Sequence, residues 1–168
     1  TLEQAIQVHP TAYGLHVALA GSLSREKQWQ AARNLYDQVI AAEGESQTAM
    51  RARMGLAALM LAQKDLEQAG TLFQEVVAWE SERPKASRMR ADAWAALGKI
   101  ALYRKQKEAA IAAFKASLVQ QPKQIDILNR LAAAYLLADK IKLARETIQY
   151  AVGLAPKQVN SRILMASI

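Results

Sequence analysis

Catalysis near neutral pH needs a nucleophile, a general base or a bound metal, and this chain of 168 residues supplies little of each. It contains no cysteine, which removes disulfides, thiolate metal sites and a sulfur nucleophile together. The two histidines, His9 and His16, lie on either side of Pro10 and have no acidic or histidine partner at the spacing that sets two ligands on one helical face. No H-E-x-x-H, G-x-S-x-G or G-x-x-x-x-G-K-[ST] pattern occurs, and the seven glycines are dispersed instead of gathered into a phosphate loop. The residues point to a chain that is not an enzyme and holds neither metal nor cofactor. Binding is the class of function that remains.

Charge offers the first lead to a ligand. Residues 1–84 carry 7 basic and 10 acidic side chains, whereas residues 85–168 carry 15 and 5, so the formal charge of +7 divides into −3 and +10. A basic surface of that kind attracts an acidic protein, an anionic polysaccharide or anionic headgroups, and equally keeps an alanine-rich helical protein in solution. Nucleic acid is disfavoured, because no aromatic residues interleave with the cations as a stacking platform requires.

The elements that carry these residues are helices. The chain is 52% hydrophobic with much of that count in alanine, Gly and Pro number 7 and 4, and runs of Val, Ile, Thr and aromatics are absent. No unbroken run of about 20 apolar residues is present, which excludes a bilayer-spanning helix. Nor does a basic segment followed by an apolar one open the sequence at Thr1, so the expectation is a cytoplasmic protein, or a periplasmic one whose signal lies outside this piece.

Internal repetition then decides the fold. The segment KQWQAARNLYDQVI (27–40) lies over KQKEAAIAAFKASL (105–118) with the same pattern, and an alanine recurs at Ala32, Ala69, Ala110 and Ala144. Each is followed four residues later by a large side chain: Tyr36, Phe73, Phe114 and Ile148. Upstream lie Trp94-x2-Leu97-Gly98 in the third copy and Leu128-x2-Leu131-Ala132-x2-Tyr135 in the fourth, and Pro122 and Pro156 close those copies 34 positions apart. These residues resemble the tetratricopeptide repeat family, with its period of 34 and its pattern W-x2-L-G-x2-Y, A-x3-F, P. Copies one and two depart from it. They have His16 and Arg53 in place of the tryptophan, and Gly44 and Ser81 in place of the proline. Arg53 fits worst; its aliphatic stem is expected on the core with its charge outside.

The resemblance implies an all-α, right-handed α-solenoid of antiparallel helix pairs with four repeats. The expected divisions are 1–12 as the second-helix remnant of a preceding repeat, then repeats at 13–49, 50–90, 91–124 and 125–158, with 159–168 as the first helix of a further repeat or cap. Such ends suit a piece of a longer array. Between anchor alanines the intervals are 37, 41 and 34, so the second junction holds seven extra residues, about two helical turns. A break near Ser81 to Pro84 followed by a lengthened first helix accommodates them, as would a longer loop. The lengthened helix would project Lys85, Arg88 and Arg90. Where the family often has a glycine between paired helices, this chain has Lys27, Lys64, Lys105 and Asp139, so the left-handed cap is expected to be strained or differently built.

In the resembling fold the first helices line a concave groove. Carried over, its positions are Val17 and Gly21; Arg51, Met54, Ala58 and Leu61; Asp92, Lys99 and Leu102; Asp126, Asn129 and Leu136, with Gly14, Ser24, Ala95 and Ala133 at the remaining places. Small and apolar residues dominate, which suits a partner's peptide or amphipathic helix, and also suits tight helix packing. The family's clamp of Lys, Asn and Arg on a chaperone tail is not carried: Val17, Gly21, Gly55, Asp92 and Ala96 stand at its places, and one copy further on Met54, Ala58, Ala96, Asp126 and Arg130 do, of which only the arginine matches. The turns between paired helices add a basic edge of Arg104, Lys105, Lys107, Lys140, Lys142 and Arg145. The reading is a protein-interaction scaffold in a larger bacterial assembly, or alternatively a periplasmic segment of an exopolysaccharide export or envelope-assembly protein whose basic half meets an anionic polymer or acidic partner.

Overall fold

The computed structural model describes residues 1–79 and 84–166, with side chains from 87 onward in the second stretch, and all of the regular structure there is helical. Ten helices follow in order: α1 (Leu2–Val8), α2 (Tyr13–Arg25), α3 (Trp29–Glu43), α4 (Gln47–Ala62), α5 (Leu66–Ala78), α6 (Pro84–Tyr103), α7 (Lys107–Gln120), α8 (Ile125–Leu137), α9 (Ile141–Leu154) and α10 (Val159–Ala166). The chain divides into two compact units, Thr1–Ser81 and Glu82–Ile168. In the first, α2 pairs with α3 and α4 with α5, α3 and α4 join the pairs, and α1 rests on α2. In the second, α6 pairs with α7 and α8 with α9, α7 and α8 join them, and α10 lies on α8 and α9. Each unit is thus a stack of helix pairs, the architecture of a tetratricopeptide-like α-solenoid.

The repeating alanines explain the pairing. Ala32, Ala69, Ala110 and Ala144 are all fully buried, because a methyl group lets two helix backbones approach where a larger side chain would hold them apart. The large residues four positions on, Tyr36, Phe73, Phe114 and Ile148, lie one turn along the same face and are buried as well. In the second unit Phe114 sits in a cluster with Ala110, Ile111, Ile127, Leu131, Tyr135 and Ala144, and Leu128, Ala132, Ile148 and Ala151 form the next layer under α10.

The extra residues of the second junction extend a helix. α6 runs for 20 residues against 13 in α2 and α8, the full excess of seven, and α4 at 16 absorbs the excess of three at the first junction. Arg88 is exposed on the added turns and Arg90 is half-buried; the anticipated break at 81–83 and the side chain of Lys85 lie outside the described residues.

All four turns between paired helices are built alike. Lys27, Lys64, Lys105 and Asp139 have φ of 62, 66, 58 and 56°. The N–H of each left-handed residue bonds back three residues and that of the next residue five, as in Lys105 N to Leu102 O (2.9 Å) and Gln106 N to Ala101 O (2.8 Å). This is the Schellman arrangement, in which glycine is the usual left-handed residue. A side chain there costs roughly 1–2 kcal/mol, while glycine's extra freedom in the unfolded chain costs about 0.5–1 kcal/mol. Lys105→Gly should therefore raise stability by about 0.5–1 kcal/mol in thermal unfolding, and Asp139→Gly by less, since Asp tolerates this region. A loss of stability in Lys105→Gly would contradict the strain.

Candidate functional site

Two features set the floor of the first-helix face in the unit 1–81. Gly21 on α2 and Gly55 on α4 both face the ring of Tyr36, which comes from α3; a Cβ on Gly21 would meet the phenol oxygen at 3.7 Å, and one on Gly55 would collide with the ring. Burial holds the Tyr36 phenol above its ordinary pKa, against smaller pulls from Ser24 and Arg25. Gly55 therefore makes room for an aromatic ring, whereas the groove position Gly21 has space for a methyl group in ordinary contact with the phenol oxygen. Around it Val17, Met54 and Leu61 are half-buried, while Arg51 and Ala58 are exposed, leaving an accessible apolar and small surface on α2 and α4.

Arg53 departs from its expectation. Its charge is tied down instead of facing water: Nε donates to the Glu75 carboxylate at 2.7 Å and a guanidinium nitrogen to the Gly44 carbonyl at 2.9 Å, with the side chain 15% exposed. One side chain thus links α4 to α5 and to the cap of α3, the place that a tryptophan fills by bulk in the family pattern. His16 is a buried core residue, with Nδ1 3.4 Å from the Ala12 carbonyl and its ring 5.5 Å from that of Tyr13, while His9 is exposed. No group of residues able to hold a metal ion occurs among the described residues.

In the unit 82–168 the first-helix face is charged. Asp92, Lys99 and Asp126 are exposed, and Leu102, Asn129 and Leu136 half-buried, whereas Ala95 is withdrawn into the core, because α7 and α8 close over it. Lys99 of α6 and Arg130 of α8 line one cavity of about 460 Å³ with Leu102 and Tyr103. Burial first, and Arg130 second, hold the Lys99 ammonium below its ordinary pKa, opposed by Asp92 and Asp126. An adjoining cavity of about 230 Å³ has Asp126, Asn129, Arg130, Ala133 and Asn160 around it. Here α10 fastens onto α8: Ser161 donates to Asn129 Oδ1 at 2.9 Å and Gln158 to Asp126 Oδ1 at 3.4 Å. Asn129 is thus committed to holding α10. Tyr103, 76% exposed at the end of α6, was not among the expected groove residues, since its place is taken by Arg25, Ala62 and Leu137 in the other copies.

Arg104, Lys105, Lys107, Lys140, Lys142 and Arg145 are all exposed at the α6–α7 and α8–α9 turns. No described helix is long and apolar enough to cross a membrane.

Two family profiles, both described as tetratricopeptide repeat, match residues 23–100 and 95–159. Comparison with curated proteins finds no match. Among solved structures, PilF of Pseudomonas aeruginosa is similar over 99% of this chain and 77% of its own, at 20% identity and a TM-score of 0.80. The apo form of the quorum sensor NprR of B. thuringiensis is similar over 98% of this chain and 49% of its own, at 14% identity and a TM-score of 0.80. The Cut9–Hcn1 hetero-tetramer of the APC/C is similar over 98% of this chain, at 20% identity and a TM-score of 0.73, and there the chain spans only 32% of the matched one. Likeness at such identities establishes a shared fold.

Proposed function

The chain belongs to the tetratricopeptide repeat family, whose stacked helix pairs are protein-interaction scaffolds, and on that premise we propose that it binds a peptide or helix of a partner protein against the first helix of each repeat. The binding modules would be the divisions 13–49, 50–90, 91–124 and 125–158. The observation that carries this reading is the surface of α2 and α4, where Val17, Met54, Ala58 and Leu61 stay accessible although the ring of Tyr36 has already satisfied the packing demand beneath. An amphipathic helix laid there buries its apolar stripe without displacing any core residue. Met54→Asp with Leu61→Asp should abolish capture of the partners that the unaltered protein retains in a pull-down. An unchanged set of partners would overturn the groove.

A second reading rests on a separate observation, the exposure of the six cations of the basic edge in a unit whose net charge is +10. In it the chain is a periplasmic segment of an exopolysaccharide export or envelope-assembly machine and that edge contacts an acidic polymer. Alginate should then bind at low salt and be released steeply between about 0.05 and 0.2 M, as the Debye length shortens to around 10 Å. Absence of binding at low salt, or binding indifferent to salt, would exclude it.

A further inference from the structure

Laying the four copies over one another isolates two residues on the first-helix face. At the place of Lys99 the other copies have Gly21, Ala58 and Ala133, and at the place of Arg130 they have Ala18, Gly55 and Ala96. Small residues thus recur at both places, and each bears a cation once, in adjacent copies. The fold brings these two exceptions to one cavity of about 460 Å³, which they line together with the half-buried Leu102 and the exposed Tyr103. Neither cation makes a hydrogen bond or an ion pair among the described residues. Asp92 and Asp126 act on Lys99 only through space, and Asp126 lies in the adjoining cavity, engaged by Gln158. Lys99 and Arg130 are both exposed around this one cavity, and an anion placed between them would relieve the repulsion that Arg130 exerts on Lys99. An aromatic and an aliphatic side chain beside the pair supply the apolar contact that a bare ion would not use.

We propose that the cavity lined by Lys99, Leu102, Tyr103 and Arg130 takes an internal Asp or Glu side chain of a bound partner segment, with a large apolar residue next to that acid lying on Leu102 and Tyr103. The inference deepens the groove reading and rests on it. It assigns the unit 82–168 the choice of an acidic partner, whereas the apolar surface of α2 and α4 takes whatever apolar stripe fits.

The test is selection from a random 12-residue peptide library displayed with its C-terminus fused, so that no free terminal carboxylate is offered, followed by synthesis of the selected peptides as C-terminal amides. Selected peptides should carry Asp or Glu next to a large apolar residue. Exchanging that acid for its amide should weaken binding about threefold to fivefold, as expected for a charge-assisted pair at an exposed site. Lys99→Gln with Arg130→Gln should weaken the acidic peptide by a similar factor and leave the amide peptide unaffected, with thermal unfolding at or above that of the unaltered protein excluding a loss of fold. Selected peptides without acidic preference, or binding indifferent to the double variant, would overturn this inference while leaving the groove intact. Tighter binding of free-acid peptides with no role for the internal acid would reassign the cavity to a terminal carboxylate, and displacement of the acidic peptide by alginate at equal charge would reassign it to a polymer; either overturns the proposal. Failure to select any peptide would overturn the groove reading itself.

Discussion

Phe114→Ala should destabilise the unit 82–168 by about 3–5 kcal/mol, the usual cost of truncating a fully buried aromatic. The ring has no exposed surface, and it is the largest side chain among the completely buried residues. It lies in a cluster drawn from α6, α7, α8 and α9, so its removal leaves a hole that the small side chains of Ala110 and Ala144 cannot refill. Urea unfolding followed by tryptophan fluorescence reads the effect, since Trp94 lies on α6 in the same unit. A loss below about 1 kcal/mol would mean that the A-x3-F register has been misplaced.

Gly98→Leu should cost about 3 kcal/mol, at the upper end of the range for overpacking. Glycine in mid-helix is ordinarily a liability of about 1 kcal/mol relative to alanine. Here a Cβ would come 2.5 Å from Cε1 of Phe114 and 2.7 Å from Cδ1, which a buried ring locked by its cluster cannot relieve by turning aside. Even Gly98→Ala should therefore lose stability in the unaltered background and gain it in the Phe114→Leu background, a reversal of sign that a cycle of four unfolding curves reads directly. Gly70, mid-helix in α5 with nothing within 4 Å of its missing Cβ, is the internal control.

Phe114 was legible as a core position from spacing alone, because alanine and a large residue four apart share a helix face wherever the period is 3.6, whereas Gly98 was legible only as a place in the repeat pattern. The same arithmetic located the excess of seven residues, although not whether a helix or a loop would hold them. The four left-handed turns were also fixed by register, since Lys27, Lys64, Lys105 and Asp139 stand where each helix must end. Three details were not legible. The ring of Tyr36 crosses to Gly21 and Gly55, Arg53 finds Glu75 and the Gly44 carbonyl, and Lys99 meets Arg130 in one cavity. Each depends on the direction of a side chain between helices, which spacing within one helix does not determine. A signal for the last was nonetheless present, because cations at places held by glycine or alanine in every other copy are visible once the copies are superimposed.

The central claim is that ligands lie on the first helix of each repeat. Titrating the isotopically labelled protein with an amidated peptide selected as above, and following backbone and side-chain resonances, tests it most directly. The account predicts shifts concentrated at Lys99, Leu102 and Arg130 on α6 and α8 for this peptide, with the exposed faces of the second helices α7 and α9 unmoved. Shifts confined to those second helices, or to the turns carrying Lys105 and Lys140, would contradict it.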